Sequence, residues 1–537
     1  MQNLPVHRHV TRAVARTVTG FLITLVYCVR VAAAQPAAPS APSFASPLLP
    51  PDHWAVDAAR RVATVGLASD GFGWADGTLT QAAVGAALQY ASERARAVGS
   101  PLRDVIAEEW RRFAREFPQV AARLQSSAEH AAEPVSRRAS IPLASSVEAR
   151  FVSATGRLLP VRSLDRTREN VAPPQPLGDA HDAELQVRLG TLASRYFAAE
   201  VAGGRSDERW QLRDWQFVGA ARSLGVWAGA RAPDFGPGAG GGLVFDGRAV
   251  LDGGGVTLVN PVRAPWLFRH LGYIRGEAFL SRIDSSAVTR HPWVFGSHVS
   301  ISPHPRVLLG ATQAFMFSGE GQPPFTFRNF KEMFLTHGIK TAGREFENGI
   351  ASIEARWRPP LPLPAILYAE WGTDDNHSAW FEFPAVVAGV TLPAVPRIPA
   401  LSLGLERTSF AAPCSSCNGC ACEYYATWYR HYVFVDGWTL DRRPIGHPLG
   451  GDGTEWLAYG RFDDAARRIR LDARGFTRAR GRYNLFAPTR GGRSVGGALG
   501  AGYRVTETLE LRLNAGIERG RTNWSASETA VGLRWNP

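Results

Sequence analysis

Lysine is almost missing from this chain of 537 residues, because Lys331 and Lys340 are the only two lysines. Arginine therefore supplies nearly all of the positive charge, and the formal net charge is +12. Guanidinium groups bind carboxylates and phosphates through paired hydrogen bonds, so an arginine-rich surface favours an acidic polymer as a partner. A GC-rich genome explains the same composition without that function. Composition alone leaves both explanations open.

Long apolar runs are missing as well. A membrane-spanning helix needs about 20 apolar residues in succession. The best internal candidate, residues 384–395, is too short and is interrupted by Pro393. Mean hydropathy is −0.14, and 54 residues are glycine. This composition excludes a helical membrane protein and leaves a globular or β-barrel protein.

Cysteine is scarce too, and four of the five cysteines form one short run: Cys414, Cys417, Cys420 and Cys422. In an oxidising compartment such a run indicates two local disulfides, with three possible connectivities. Four close thiolates could also chelate zinc or a metal cluster. Export of an unfolded chain argues against a cluster assembled in the cytoplasm. We therefore predict disulfides, with no metal and no cofactor.

Residues 1–34 are typical of an export signal. Three arginines precede an apolar run over residues 18–29, and three alanines before Gln35 offer a cleavage site. The run is too short for a membrane anchor. Cys28 follows Tyr27, which matches a lipoprotein signal poorly. Export also argues against nucleic acid as a partner.

The chain is expected to have four regions. They are the signal peptide over 1–34, a linker rich in proline and alanine over 35–50, a periplasmic helical domain over 51–130 and an outer-membrane β-barrel over 140–537. Within the helical domain, apolar spacing predicts helices from about residue 52 to Gly66, over 79–95 and over 101–124.

The barrel prediction rests on alternation. Apolar and polar residues alternate without a break over 509–518, which is typical of a strand with one wet face. A tight connection precedes this strand, and a longer polar loop, residues 519–527, follows it. Short connections on one side and long loops on the other are typical of outer-membrane barrels. No blade-length repeat supports a propeller, and a β-sandwich of this size would be unusual.

The number of residues also supports a closed barrel. Roughly 350 residues beyond position 183 could supply about 16 to 20 strands of about 10 residues each. The fold class predicted here is therefore an all-β membrane barrel with a small N-terminal α-helical domain. Further strands are predicted at 183–193, 215–230, 264–283, 293–301, 306–317, 349–357, 365–371, 400–408, 423–434, 497–505 and 529–535.

The most informative stretch is residues 429–456. It begins with aromatic and β-branched residues, continues through a glycine-rich segment, and reaches a second alternating strand at Trp456. This pattern predicts a hairpin that meets both lipid and water.

Two groups of polar residues could carry chemistry. His447 and Asp452 could be imagined as a catalytic dyad, but no serine in a nucleophile context lies nearby, and Gly-Gly-Asp-Gly favours a tight loop. Asp374, Asp375 and Asn376 could hold calcium, but an Asx turn at the surface explains them as well. We predict no catalytic residues, no metal and no enzyme activity.

Several motifs resemble those of the Wzi capsule-assembly family of outer-membrane proteins. They are Phe-Gly-Pro-Gly at 235–238, Tyr-Ala-Glu at 368–370, Asp-Asp at 374–375, the helical segment 109–117 and, most closely, residues 429–452. The resemblance implies a barrel of about 18 strands in the outer membrane, with a helical bundle at its periplasmic end. It also implies lectin-like attachment of capsular polysaccharide to the cell surface.

A polysaccharide site needs aromatic faces for sugar rings and planar polar groups for hydroxyls and carboxylates. Girdle positions at the membrane interface remain an alternative for the aromatic residues, and lumen-facing ion pairs for the arginines. The candidates are Trp428, Trp438, Arg442, Arg443, Arg474, Arg478 and Tyr483.

The function predicted from the sequence is to bind and anchor capsular or another exopolysaccharide at the cell surface. The expected partners are an acidic polysaccharide and outer-membrane lipid, and the chain is expected to be a monomer. A diffusion porin is the alternative, followed by an outer-membrane hydrolase.

Overall fold

The computed structural model describes residues 42, 44–129, 143–155, 180–283, 289–374, 384–410 and 428–536, with short gaps inside these ranges. The predicted signal peptide and the four-cysteine run lie outside the described residues. Among the residues that are described, no helix combines the length and the apolar character that crossing a membrane would require.

Four helices precede the strands in the described part of the chain, and we call them the helical cap. They are α1 (Trp54–Thr64), α2 (Gln81–Ala97), α3 (Arg103–Glu116) and α4 (Pro118–Glu129). The backbone N–H of Ala83 donates to the hydroxyl of Thr80 (3.1 Å), which satisfies an amide that the first turn of α2 would otherwise leave without a partner.

The single helix predicted over 101–124 is wrong, because the chain breaks at Phe117. This residue has φ −125° and ψ 61°, outside the helical region. Pro118 follows directly, and its ring disfavours the α conformation for the residue before it. Proline is well suited to the first position of a new helix, so α4 starts there.

Gly85 explains how closely the helices of the cap pack. A Cβ atom at this position would lie 2.5 Å from the ring of Phe113 and 2.8 Å from the side chain of Leu124. Only glycine lets α2 approach α3 and α4 so closely. Phe113 becomes fully buried as a result, and burial of such a side chain stabilises the cap by about 1.5–3 kcal/mol.

Eighteen long antiparallel strands, together with the two-residue strand Val262–Arg263, form one sheet among the described residues. In chain order the long strands are β1 (Leu143–Thr155), β2 (Ala180–Thr191), β3 (Phe197–Ser206), β4 (Arg209–Ala221), β5 (Leu224–Arg231), β6 (Leu251–Leu258), β7 (Tyr273–Arg282), β8 (Trp293–His304), β9 (Val307–Phe317), β10 (Glu347–Trp357), β11 (Ile366–Asp374), β12 (Ala385–Leu392), β13 (Leu401–Ser409), β14 (Gly453–Asp464), β15 (Ile469–Arg480), β16 (Gly492–Arg504), β17 (Leu509–Gly520) and β18 (Ser525–Trp535).

The sheet closes into a barrel because β1 pairs with both β2 and β18. On the closing seam Val147 lies opposite Trp535, and Thr155 lies opposite Ser527. Closure removes the free edges that an open sheet would expose. The predicted fold class, including the strand number, is confirmed.

Three predicted strands need correction. The stretch 215–230 is interrupted by a turn in which Arg222 has φ 57°. The stretch 264–283 begins with a 3₁₀ helix, Trp266–Leu271, before β7. The described residues within 423–434 form turns and bends, with no strand. The strands β1, β3, β6, β12 and β15 are not among the predicted ranges.

The two faces of the barrel wall differ as the alternation predicts. On β17, Leu511, Leu513 and Ile517 face outward and are exposed, whereas Glu510 and Glu518 are buried on the lumen side. The predicted strand with one wet face is confirmed, with its charged residues turned inward.

The two ends of the barrel also differ. At one end, which we call the tight-turn end, β8 and β9 join between His304 and Val307, and β16 and β17 join between Arg504 and Leu509. The opposite, long-loop end carries the connections 232–250, 318–346 and 410–452. The helical cap lies at the tight-turn end, where Arg115 forms an ion pair with Glu507 (3.2 Å).

Candidate functional site

Two connections fold into the lumen from the long-loop end. Loop A is residues 232–250, between β5 and β6. Loop B is residues 410–452, between β13 and β14, and is described at residue 410 and, with short gaps, from residue 428 onward. Phe235 and Phe245 of loop A and Trp438 of loop B are buried in one apolar cluster with Trp227 and Phe279 of the barrel wall. The lumen is therefore filled at this end, and we call the two loops together the plug.

Hydrogen bonds that end on backbone carbonyl groups join the two loops. The indole N–H of Trp438 donates to the carbonyl of Val244 (2.9 Å), and the N–H of Asp246 donates to the carbonyl of Ile445 (3.1 Å). The Tyr429 hydroxyl donates to the carbonyl of Leu243 and accepts from the N–H of His447 (2.8 Å).

Carboxylates on the barrel wall hold the glycine-rich part of loop A. Glu406 accepts from the backbone N–H groups of Ala239 (2.6 Å) and Gly240 (2.9 Å), and Glu370 accepts from that of Leu243 (3.0 Å). A Cβ atom at Gly240 would lie 2.7 Å from a carboxylate oxygen of Glu406, so the carboxylate would have to shift. The repeated glycines of this segment thus let the backbone approach buried acceptors directly.

His447 is a structural residue at the centre of loop B. Its Nδ1 accepts from the N–H of Leu449 (3.2 Å), so its Nε2 carries the proton and donates to the hydroxyl of Thr408 (3.1 Å). Burial lowers the pKa of His447 to about 3, and Glu455 only partly opposes this. A neutral, fully buried ring held by these two partners is suited to fixing the loop. Asp452 is not a partner in either of these two hydrogen bonds.

The helical cap is fixed to the barrel wall by a buried ionic cluster. Asp76, between α1 and α2, contacts the Nε2 of His298 (3.1 Å) and the guanidinium of Arg356 (2.7 Å), which also pairs with Glu354 (3.2 Å). Burial alone would raise the pKa of Asp76, but Arg356 and His298 outweigh it and hold the pKa well below its usual range.

The same cluster has the spacing of a metal site. Ligand-type atoms of Asp76, His298 and Glu354 all lie within 4.8 Å of one another. Arg356 already supplies a positive charge between the two carboxylates, and His298 uses its second ring nitrogen on Thr312 (2.9 Å). The group is therefore an ion-pair cluster that joins the cap to β8 and β10.

A second contact joins the cap to the closing seam. Glu116 accepts from the indole N–H of Trp54 (2.6 Å) and from Arg534 of β18 (2.8 Å), and it contacts His53 (3.1 Å). Burial would raise the pKa of Glu116, but His53 and Arg534 hold it well below its usual range.

A cavity of about 90 Å³ lies between the cap and the barrel wall beside this contact. Its lining includes Glu148, Arg188, Glu200 and Arg512. A polar space of this size has room for several water molecules. The cap thus occupies the tight-turn end of the lumen, as loops A and B occupy the other.

The structure places the candidate sugar contacts in several surroundings. Trp428 is buried against Phe410 (ring centroids 5.1 Å apart), and Trp438 is fully buried between the two loops. Arg478 is buried on β15, where it pairs with Glu455 and with Glu518 (3.1 Å).

The remaining candidates are less enclosed or are not described. Arg474 is half-buried on β15, and Arg443 lies in the two-residue strand Arg443–Pro444, of which only the backbone is described. Arg442 and Tyr483 lie outside the described residues, as do Asp375 and Asn376 of the possible calcium site.

The lipid–water hairpin predicted over 429–456 is wrong for its first part. Trp428, Tyr429 and Trp438 are buried inside the lumen, and only from Gly453 onward does the chain join the wall as β14. Trp456 on that strand does face outward and is exposed.

The sequence reasoning missed the residues that position these loops. Glu370 belongs to the Tyr-Ala-Glu motif at 368–370, so its role could have been inferred from the pairing of that motif with the glycine-rich segment. Glu406 and Asp76 carry no local signal, because a single carboxylate in a strand or loop has the same pattern whether it faces water or a backbone amide.

A closed barrel of this size, with an apolar exterior and charged residues inside, defines an outer-membrane barrel protein. A family model described as Capsule assembly protein Wzi matches residues 176–530. The chain belongs to this family, and its location is the outer membrane. No curated protein sequence matches the chain.

A solved structure shows the same fold. Wzi of Escherichia coli, an outer-membrane protein involved in group 1 capsule assembly and a carbohydrate-binding β-barrel, has a TM-score of 0.63 and 15% identity, covering 92% of this chain and 100% of its own. A weaker likeness is to OpdQ of Pseudomonas aeruginosa, with a TM-score of 0.42 and 10% identity, covering 73% of this chain and 96% of its own.

Proposed function

We propose that this protein retains an acidic capsular or other exopolysaccharide at the cell surface by binding it on the long-loop end of the barrel. The observation that supports this most directly is the plug, in which Trp438 and Val244 join loops A and B inside the lumen. A filled lumen is suited to a surface platform. It is poorly suited to a diffusion porin, which needs an open passage.

Exposed arginines mark the face on which we propose that the polymer binds. Arg430 of loop B and Arg290, in the connection between β7 and β8, are both exposed. These two segments are joined, because the hydroxyl of Thr289 donates to the carbonyl of Val433 (3.0 Å). Guanidinium groups on one outer face suit uronate carboxylates or similar acidic groups.

The candidates from the sequence divide accordingly. We propose Arg442, Arg443 and Tyr483 as further polymer contacts, whereas the buried Trp428, Trp438 and Arg478 support the loops from below. We also propose that disulfides among Cys414, Cys417, Cys420 and Cys422 restrain the outer part of loop B. Mass spectrometry with and without reduction would test that pairing.

Further proposals concern the setting of the protein. They are the export signal over 1–34, the linker over 35–50, a periplasmic position for the cap region 51–130 and a monomeric state. The tight turns at the cap end support the periplasmic position, because outer-membrane barrels turn tightly on that side. The protein acts in this proposal without catalysis, since the hydrogen bonds of the interior His447 to Thr408 and Leu449 serve to hold the loop.

A deletion strain tests the function. It is expected to shed polymer into the medium, and the wild-type chain should restore retention. The double substitution Arg290→Ala with Arg430→Ala should fold and reach the membrane but leave much of the polymer in the medium. Arg103→Ala, an exposed arginine on α3 at the opposite end, is the matched control. Unchanged cell-associated polysaccharide in the deletion strain would contradict the proposal.

A further inference from the structure

Three phenylalanines on the outer wall of the barrel are shielded where their neighbours are not. Phe295, Phe315 and Phe317 are 7%, 6% and 1% exposed. Other outward-facing side chains, such as Leu499 and Phe217, are 65% and 61% exposed. Another part of the chain must therefore cover this area of the wall.

The strand parity shows that these rings lie on the exterior. On β8, Val294 belongs to the lumen cluster and His298 contacts Asp76 of the cap, so even positions face inward. On β9, Met316 belongs to the same lumen cluster. Side chains alternate along a strand, so Phe295, Phe315 and Phe317 face outward.

The cover is the connection between β9 and β10, residues 318–346, which contains the helix α5 (Phe327–Leu335). Phe330 of α5 lies with its ring centroid 5.6 Å from that of Phe295. The ring of Phe325 lies 5.4 Å from Phe317 and 5.5 Å from Trp293. This connection therefore folds back over the outside of the barrel, in contrast to loops A and B, which fold inward.

The outer surface of this segment is both aromatic and cationic. Phe327 is 80% exposed and Phe325 is 41% exposed, on a surface continuous with the lipid-facing wall. Arg328 and Lys331 of α5 are exposed, and so is Arg282, whose guanidinium lies 5.8 Å from the ring centroid of Trp293. The acidic residues along the segment are Glu320, Glu332 and Glu345. Of these, Glu320 lies 4.0 Å from His291.

We propose that α5 and Arg282 form a binding site for a phosphorylated glycolipid of the outer leaflet. The acyl chains pack against Phe325 and Phe327, and the phosphate is bound by Arg282, Arg328 and Lys331. A short amphipathic helix with aromatic residues on one face and cations beside them is suited to the boundary between acyl chains and headgroups. The long-loop end places α5 at the outer boundary.

Lipid is favoured over a protein partner because the exposed aromatic surface is continuous with the lipid-facing wall. The exposed rings extend the same apolar wall that lipid already covers on the neighbouring strands, for example at Ile353 of β10. A protein docked here would have to displace that lipid. The site uses cations other than Arg290 and Arg430, although the two faces adjoin where the N–H of Glu320 donates to the carbonyl of Arg290 (2.9 Å).

Photo-crosslinking tests this site. A photoreactive phenylalanine analogue is placed at position 327, at position 499 as a lipid-facing reference, and at position 98 as a control, since Val98 is an exposed apolar residue on the cap. The proteins are reconstituted in phosphatidylcholine vesicles with or without diphosphorylated lipid A. We expect lipid adducts at 327 and 499 but not at 98, with a severalfold preference for lipid A at 327 only.

The cations are then tested by the triple substitution Arg282→Gln, Arg328→Gln and Lys331→Gln. It should abolish the preference for lipid A at 327 while leaving adducts with phosphatidylcholine. Absence of any lipid adduct at 327, or equal yields with and without lipid A in the wild type, would overturn the proposal. An adduct with another protein from whole cells in place of lipid would overturn it as well. These readouts do not depend on polymer retention.

Discussion

The indole N–H of Trp438 lies 2.9 Å from the backbone carbonyl of Val244, and through this bond two distant loops close the barrel from within. The two residues are separated by 194 positions in the sequence. The described parts of both loops contain only strands of two residues. Few backbone hydrogen bonds of regular structure therefore hold these loops, and the bond from Trp438 matters more.

Trp438→Phe should loosen this plug. The substitution keeps an aromatic ring but leaves the carbonyl of Val244 buried without its donor, at a cost of about 1–3 kcal/mol. We expect a lower thermal unfolding temperature and faster protease cleavage in loop B. Trp456→Phe, on the exposed outer face of β14, is the control and should change neither quantity measurably. Equal behaviour of the two variants would argue against the role assigned to Trp438.

Gly242→Ala tests the close approach of loop A. A Cβ atom at this position would overlap the carbonyl oxygen of Phe235, so the loop has to shift. Overpacking of this kind costs about 1–3 kcal/mol. Gly475→Ala on β15 is the matched control, because no atom lies within 4 Å of the place that its Cβ would occupy. The control should stay within about 0.5 kcal/mol of wild type. Chemical denaturation of both variants in detergent measures the difference.

The stability of the plug should depend on pH through the titration of His447. Its pKa in the folded protein is lowered to about 3, below the ordinary value of 6.5, so the unfolded chain binds a proton first as the pH falls. The stability from the neutral ring is fully present above pH 6.5 and is lost at about 1.4 kcal/mol per unit as the pH falls toward 3.

His447→Asn separates this effect from general acid denaturation. An asparagine oxygen can still accept from the N–H of Leu449, but it does not titrate. We expect the wild type to lose plug stability between about pH 6.5 and pH 4 and the variant to lose less, measured by protease cleavage of loop B. An identical pH profile for the two proteins would show that another group controls the plug.

Asp76→Asn should release the helical cap. The substitution removes the carboxylate that His298 and Arg356 share inside the barrel, and breaking such a buried pair costs about 3–5 kcal/mol. We expect the cap helices to become accessible to protease, while loops A and B stay in place and keep the lumen closed at the other end. Asp104→Asn on the exposed face of α3 is the control, and an equal effect of both would contradict the assignment.

Much of the barrel could be predicted from the sequence. Alternation over 509–518 indicates a strand whose polar face is inside, and the contrast of tight turns with long loops indicates a membrane barrel. These are local patterns, since each depends only on neighbours in the chain. The break at Phe117 could equally have been predicted from Pro118. The strand β12 is an apolar run without strict alternation, and β6 begins with three successive glycines after Leu251 and Asp252, so neither carries a clear local strand pattern.

Local patterns could not predict whether the loops fold into the lumen or join the lipid-facing wall. Residues 429–438 carry aromatic and β-branched side chains, which suit a lipid-facing strand as well as a segment buried in the lumen. The partners that select the second outcome are the carbonyl groups of Leu243 and Val244, far away in the chain.

The alternating wall, the closed barrel and the family could be read from periodicity and short motifs, which are local properties of the chain. The inward folding of loops A and B and the outward folding of α5 depend on contacts between distant residues. Each of these segments has apolar side chains to bury, and the side on which Trp438 or Phe330 finds its partners depends on the assembled wall, which brings distant residues together.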